Sequence, residues 1–241
     1  MNGAFRCVVF CEAENDLLVA SRLFAREIAS IEHVEGEPFS FGGLDDSETY
    51  SGWTQCKRRA DTEGVPRLLG HNDLGPDGAT AWRALKLAET RKPDCVLLVR
   101  DCDDEALTAK QSQLMAGVRR FSAVNASLRV VLATPARMLE TWLIAALNCT
   151  EALRKELGFD PCSEPHRLTA SGTSTSKLNP KTVLKSLASP AEAMETMEGM
   201  SIETLRERAA RCGLPEFLCS VRCEAGQLVS NDSRLCDCRG E

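Results

Sequence analysis

The feature that most constrains the fold of this chain is an alternation between short apolar runs and longer amphipathic patterns. The runs FRCVVFC, CVLLVR and LRVVLA predict strands, and a weaker strand is predicted within residues 31–41. Apolar residues recur at helical spacing within residues 15–31, 79–92, 104–121 and 136–147. Strands that alternate with helices of this length predict an α/β fold, with a central, mostly parallel four-stranded sheet flanked by helices.

The pattern changes after residue 150. Helices are predicted at residues 181–187, from residue 190 and at residues 201–212, and a cysteine-rich tail follows. We therefore predict an α/β core over residues 1–150 and a helical extension with that tail over residues 151–241. The polar stretch 42–78 is predicted to be a long loop, which in a compact domain is usually functional or a family-specific insertion.

Charge and hydropathy limit the classes of protein that this chain can belong to. No run approaches the roughly 20 apolar residues of a membrane-spanning helix, and the first strand has no charged leader before it. We therefore expect a cytoplasmic protein that does not bind membranes. The net charge of −6 argues against a broad basic surface for nucleic acid. It is compatible with a nuclease, because acidic metal ligands count against the total until a cation neutralises them.

Two of the predicted strands end at carboxylates. Glu12 follows the first strand, with Asp16 one helical turn later, and Asp101-Cys102-Asp103-Asp104 follows the third. Because ligands bind at the carboxyl ends of parallel strands, we expect these acids to share one edge of the sheet. Such hard oxygen ligands suit Mg²⁺ or Mn²⁺, which can polarise a phosphodiester and activate a water molecule.

A structural interpretation competes with this one for each single acid. Asp104 could cap the third helix, and Asp16 could complement the dipole of the first. The combination of a glutamate after strand one with an Asp-x-Asp after strand three favours the metal site.

These motifs resemble those of the Toprim domain family. Glu12-Ala13-Glu14-Asn15-Asp16 is similar to the family's opening motif, a strand followed by Glu-Gly-x-x-Asp, and Asp101-Cys102-Asp103 is similar to its Asp-x-Asp. The resemblance implies a Toprim-like Rossmannoid core, with Glu12 as general acid or base and the two aspartates as metal ligands. It also makes Asp16 a catalytic candidate and Asp104 a further metal ligand. One departure is Ala13 in place of the family glycine, which predicts a slightly different turn.

A second, narrower resemblance is to small standalone bacterial Toprim proteins. It is carried by Thr134-Pro135, by the helix that contains Glu140-Thr141-Trp142-Leu143, and by Asn179-Pro180-Lys181. It implies Glu140 as an additional metal ligand and Lys181 as a contact to the scissile phosphate. The alternatives are a solvated charge on a helix face for Glu140 and an ordinary exposed lysine for Lys181.

The expected function is therefore that of a nuclease that uses Mg²⁺ or Mn²⁺ to hydrolyse DNA or RNA. Several similar proteins occur in phage-defence gene sets beside an ATPase, which suggests an antiviral effector by analogy. The alternative is a non-catalytic or partner-regulated scaffold that works with an ATPase, and homo-oligomerisation stays open. A phosphotransfer receiver is a third interpretation, but no fifth strand carrying the lysine of a receiver is evident.

The twelve cysteines are predicted to be reduced, as is usual in the cytosol. Cys149 and Cys162 are among seven scattered cysteines that we interpret as free thiols. Cys219-x3-Cys223 with Cys236-x-Cys238 offers four thiolates for zinc, but the single residue between the last two strains tetrahedral ligation. We favour free thiols there too.

Overall fold

The computed structural model of the protein describes residues 4–31, 34, 36–66, 74–170 and 176–230. Two compact units are interleaved along the chain. The first unit comprises Met1–Arg100, Thr108–Ala133 and Phe217–Glu241, and the second comprises Asp101–Leu107 and Thr134–Glu216. The domain boundary expected at residue 150 stays a prediction.

A parallel sheet forms the centre of the first unit. Its strands are β1 (Phe5–Cys11), β2 (Phe39–Gly42), β3 (Ser51–Gly52), β4 (Cys95–Val99) and β5 (Arg129–Ala133). Their order is β2-β1-β4-β5, and the two-residue β3 pairs with the end of β1. All these pairings are parallel. The predicted α/β class with a mostly parallel sheet is thus confirmed, whereas β3 was not predicted.

The described helices follow the chain in this order: α1 (Glu14–Ala29), α2 (Cys56–Thr62), α3 (Gly75–Glu89), α4 (Leu107–Ser122), α5 (Glu140–Ala146), α6 (Glu151–Leu157), α7 (Pro180–Leu187), α8 (Pro190–Gly199), α9 (Ile202–Arg208), α10 (Leu214–Ser220) and α11 (Gly226–Val229). A π-helical segment, Val221–Ala225, joins the last two. No helix within the described ranges has the length and apolarity needed to cross a membrane.

Helices bury both faces of the sheet in the first unit. Phe10 and Leu98 point to the face on which Leu85 of α3 and Phe121 of α4 lie, all in one apolar cluster. Side chains at successive strand positions point to opposite faces of the sheet. Because helices cover both faces, every residue of β4 is buried. This is why the strands have the largely apolar sequences from which they were predicted.

Two glycines allow α3 and α4 to approach each other closely. A Cβ atom added to Gly117 of α4 would lie 2.1 Å from the carbonyl oxygen of Gly78 in α3. Because backbone lines both sides of this contact, no side chain can move aside to make room. The close approach lets Lys110 of α4 reach Asp77 of α3.

The chain beyond α9 contributes to the core of the first unit. Phe217 and Val221 are fully buried. The hydroxyl of Ser220 accepts the Leu132 amide at 3.2 Å, and Arg222 pairs with the buried Glu27 of α1 at 2.7 Å. The part of the cysteine-rich tail up to residue 230 is therefore helical and packed.

The second unit is built around α5, in which Thr141 to Ala146 are buried. Trp142 is fully buried, and its indole nitrogen donates to the carbonyl oxygen of Cys212 at 2.7 Å. Helices α7, α8 and α9 pack around α5. The predicted C-terminal helices are present as α7, α8 and α9.

Candidate functional site

The strand order creates a topological switch point in the first unit. The chain passes from β1 to β2 on one side, and β4 pairs with β1 on the other. In open α/β sheets, ligands bind outside the carboxyl ends of the strands at such a point. Glu12 follows β1 there and Arg100 follows β4, and their side chains form an ion pair.

Arg100 belongs to a row of charges that alternate in sign. Its Nε atom lies 3.3 Å from Oδ1 of Asp77, and Nζ of Lys110 lies 2.5 Å from Oδ2 of the same carboxylate. We call Glu12, Arg100, Asp77 and Lys110 the charge row. Burial alone would raise the pKa of Asp77, but the hydrogen bond from Lys110 and the charges of Arg100 and Lys110 outweigh it and lower the pKa. Each charge in the row has an opposite neighbour.

Asp16 holds the turn that carries Glu12. Its Oδ2 atom accepts hydrogen bonds from the backbone N–H groups of Glu12, at 3.2 Å, and Ala13, at 2.9 Å. This is the interaction that a carboxylate at the third position of a helix makes with the residue before the helix. Asp16 is thus engaged in orienting the turn, while its catalytic role stays a prediction.

Ala13 fits this turn without strain. Its φ of −142° and ψ of 162° are extended values that any residue adopts. The dihedral freedom of the glycine found in the Toprim motif is therefore not required at this position.

A cavity of about 210 Å³ adjoins Glu12 on the side of β3. Phe10, Leu44 and Cys56 supply its apolar lining. The polar lining residues are Glu12, Glu48, Tyr50, Ser51, Gly52, Thr54, Gln55 and Arg59. The sequence gives no sign of this cavity, because its wall comes from the polar stretch that was predicted to be a loop.

Ion pairs order the polar wall of the cavity. Arg59 contacts Glu48 at 2.7 Å, Asp45 at 2.6 Å and Glu63 at 2.9 Å. The hydroxyl of Ser51 donates to Glu48 at 3.1 Å and accepts the amide of Leu44 at 2.9 Å. The wall is thus fixed by side chains from β3, from α2 and from the loop between β2 and β3.

In the second unit, hydrogen bonds to residues 135–139 hold the segment that carries the predicted aspartates. Oδ1 of Asp101 accepts the amide of Leu139 at 3.1 Å, and the amide of Asp103 donates to the carbonyl oxygen of Arg137 at 2.7 Å. Asp103 and Arg137 both have positive φ values, 51° and 72°. Left-handed backbone at non-glycine residues is uncommon and concentrates at functional sites.

The segment 135–139 leads directly into the predicted Glu140, the first residue of α5. Nζ of Lys181 lies 4.0 Å from Oε1 of Glu140. Asn179 caps α7 by accepting the amide of Lys181 at 2.9 Å. The second unit therefore brings Lys181 to Glu140 and Asp101 to the residue before Glu140.

The predicted grouping of Glu12 with Asp101 and Asp103 joins residues of the two units and stays a prediction, as does the ligand role of Asp104. Among the residues that the structure describes, one group of three metal-ligating side chains has all its ligand atoms within 4.8 Å of one another. That group is Cys149, Asp160 and Cys162, which we call the thiol–carboxylate cluster. Burial, with the charges of its two neighbours in the cluster, raises the pKa of Cys162 to about 12.

The second cysteine group of the sequence lies partly outside the described residues. Sγ of Cys219 is 4.0 Å from Sγ of Cys223. Cys236 and Cys238, the other two cysteines that the sequence offers as zinc ligands, fall outside the described part of the chain.

Comparisons of the chain with protein-family models, with curated proteins and with solved structures found no match. The functional interpretation therefore depends on the residues and the geometry of this chain. Arg100, Asp77 and Lys110 carry no motif in the sequence and are identified by their contacts in the structure.

Proposed function

We propose that this protein is a Toprim-type phosphodiesterase that uses Mg²⁺ or Mn²⁺ to hydrolyse DNA or RNA. The observation that carries the proposal is the pairing of Glu12 with Arg100 at the switch point between β1 and β4. A phosphodiester needs a base for the attacking water and a cation for the charge that develops on phosphorus-bound oxygen. Glu12 and Arg100 offer these two functions side by side.

Arg100 suits a phosphate better than a mobile surface arginine would. Asp77 contacts its Nε atom, and Lys110 in turn neutralises Asp77. The guanidinium is thus oriented before substrate binds, which reduces the entropy lost on binding. The planar guanidinium group of Arg100 matches the geometry of two oxygens of one phosphate.

The predicted metal ligands are Glu12, Asp101 and Asp103, assisted by Asp104 and Glu140. Their oxygen donors fit a hard cation, which would neutralise the phosphate and lower the pKa of a bound water. The four predicted acidic ligands of the second unit all lie in the described part of the chain. No three of them have ligand atoms within 4.8 Å of one another. Binding would therefore draw these side chains together, with Lys181 free to exchange Glu140 for a phosphate oxygen.

The cavity beside Glu12 has room for only a small part of a substrate. At about 210 Å³ it suits one unstacked base or sugar better than a duplex. Tyr50 in its lining offers an aromatic face, which stacks on bases irrespective of sequence. We propose single-stranded or locally opened nucleic acid as the substrate.

The test is cleavage of plasmid DNA and of RNA with Mn²⁺ by the wild-type protein, Glu12→Gln and Asp103→Asn. Each substitution is expected to lower the rate at least about 100-fold, since each removes a proton acceptor or a ligand while preserving shape. Glu14→Gln, an exposed acid two residues from Glu12, is the matched control and should keep the full rate. Full activity in both site variants would remove this proposal.

A second candidate, a nuclease or scaffold silenced until an ATPase partner releases it, is favoured by the same ion pair. Arg100 occupies the carboxylate of Glu12, which must leave this ion pair before it can bind a metal. Arg100→Gln separates the two candidates. Loss of a phosphate contact lowers the Mn²⁺-dependent rate about 100-fold, whereas release of a silenced Glu12 raises it.

A further inference from the structure

The thiol–carboxylate cluster is assembled by a short helix whose two ends are fixed. Cys149 precedes α6, and Asp160 and Cys162 follow it. The hydroxyl of Thr150 caps the start of α6 by accepting the amide of Leu153 at 3.2 Å. At the other end Gly158, with φ of 75°, reverses the chain direction. The ligands meet because this loop returns on itself.

Further contacts orient the carboxylate of the cluster. Oδ1 of Asp160 accepts the amide of Cys162 at 2.9 Å and that of Ser163 at 3.4 Å. Oδ2 accepts from Arg154 of α6 at 2.9 Å. An ionised carboxylate has about four acceptor sites, so these bonds leave a lone pair for a ligand. Hydrogen bonds of this kind to a ligating carboxylate are characteristic of metal sites.

We propose that Cys149, Asp160 and Cys162 bind one Zn²⁺ ion, with a fourth position open to water. Two thiolates select a soft or borderline cation over Mg²⁺ or Mn²⁺. A tetrahedral ion with Zn–S bonds of about 2.3 Å holds its sulfur ligands about 3.8 Å apart. The ligand atoms of the cluster all lie within 4.8 Å of one another, which is close to that spacing.

Exposure within the cluster accounts for the fourth position. Cys162 is 3% exposed, whereas Cys149 is half-buried and the Asp160 side chain is 23% exposed. Water can therefore reach an ion from the side of Cys149 and Asp160. Three protein ligands with one water is the arrangement of a zinc site that remains accessible, unlike the closed four-thiolate type.

A disulfide between the two cysteines is the competing outcome. A disulfide would use only the two sulfurs and leave out Asp160, although its carboxylate lies within 4.8 Å of both. The same carboxylate is a useful third ligand for zinc. The cluster is therefore better suited to a metal than to a sulfur–sulfur bond.

The experiment uses the full chain, reduced with a thiol-free phosphine and titrated with Co²⁺. We expect one equivalent to bind, with the charge-transfer absorption of thiolate-bound Co²⁺ and with release of protons from the thiols. One equivalent of Zn²⁺ should abolish the absorption. The double variant Cys149→Ser/Cys162→Ser should lose the signal, and Asp160→Asn should bind about 10-fold more weakly.

The matched control is the double variant Cys219→Ser/Cys223→Ser, which removes the other close pair of sulfurs. It should keep the signal and the stoichiometry, and circular dichroism should show that both double variants are folded. The proposal is overturned if the signal disappears in this control and persists in Cys149→Ser/Cys162→Ser. It is also overturned if the wild type binds no Co²⁺ and mild oxidation instead links Cys149 to Cys162.

Discussion

The charge row of the first unit and the thiol–carboxylate cluster of the second differ in how their groups are balanced. In the charge row, acids and bases alternate from Glu12 to Lys110, and each group contacts one of opposite sign. In the cluster, three groups that all donate electron pairs lie against one another, with Arg154 as the cation that contacts the carboxylate.

The difference indicates whether each set of residues stabilises the fold by itself or only when a cation is bound. The charge row is complete without a ligand, so its contribution to folding stability is present before anything binds. The ligand atoms of the cluster repel when ionised, so a cation stabilises that region. Removing a member of the charge row should therefore lower stability, while removing a member of the cluster should mainly lower metal affinity.

Among the variants that test this comparison, Lys110→Met is expected to change the free energy of unfolding most. Lys110 is 5% exposed and Asp77 is 8% exposed, so the substitution leaves a buried carboxylate with Arg100 alone. Breaking a buried ion pair by removing one partner costs about 3 kcal/mol. The free energy of unfolding, measured with urea, should fall by that amount.

The control for this variant is Lys57→Met, an exposed lysine of α2 in the same unit, which should change stability by less than about 0.5 kcal/mol. If Lys110→Met were as stable as this control, the charge row would contribute nothing to folding. The contrast with the cluster would then be lost.

A smaller effect, of about 2 kcal/mol at neutral pH, is expected from Asp77→Asn, which removes hydrogen bonds between charged groups. The pKa of Asp77 is lowered in the folded protein. The stabilisation is therefore complete above the unfolded-state pKa of about 3.9 and is lost as the pH falls through the folded-state pKa. Urea unfolding of both proteins from neutral to acid pH measures this difference.

Other carboxylates with lowered pKa, such as Glu63 and Glu89, are present in both proteins, so their contributions cancel in the difference. A gap between wild type and Asp77→Asn that stayed constant into strong acid would contradict the lowered pKa. A gap that widened as the pH fell would mean that the pKa of Asp77 is raised, not lowered, in the folded protein.

The regular elements were predictable because burial on both faces of a sheet leaves a pattern in the sequence. The runs that became β1, β4 and β5 are apolar apart from one arginine each, and α1 places Leu23, Phe24 and Ile28 in the core at helical spacing. Helices with few buried positions, such as α2, leave no such pattern. Cys56 and Ala60 are the buried residues of α2 and belong to the apolar cluster of the first unit, while Arg59 of the same helix forms ion pairs.

The candidate site was only partly predictable, because its contacts depend on register. Glu12 and the aspartates stand out at the ends of apolar runs, but Arg100 resembles an ordinary solvated strand end. Its partner Asp77 lies 23 residues earlier, in α3. The cluster left a local signal that we missed: Thr150 and Gly158 bracket a single short helix between Cys149 and Cys162.

The smallest expected effect comes from Thr150→Ala, which removes the cap of α6. Loss of a helix cap costs about 1 kcal/mol. Because α6 sets the distance between Cys149 and Asp160, the Co²⁺ affinity of the cluster should also fall, by roughly 5-fold if most of that energy holds the loop closed. Thermal unfolding and Co²⁺ titration measure the two effects separately.

Ser189→Ala provides the comparison, because Ser189 caps α8 in the same unit with a 3.3 Å hydrogen bond to the amide of Glu192. It should cost a similar amount of stability and leave Co²⁺ affinity unchanged, since α8 contributes no ligand to the cluster. Equal losses of affinity in both variants would mean that the cluster responds to global stability. A loss in Thr150→Ala alone would show that closure of α6 holds the ligands together.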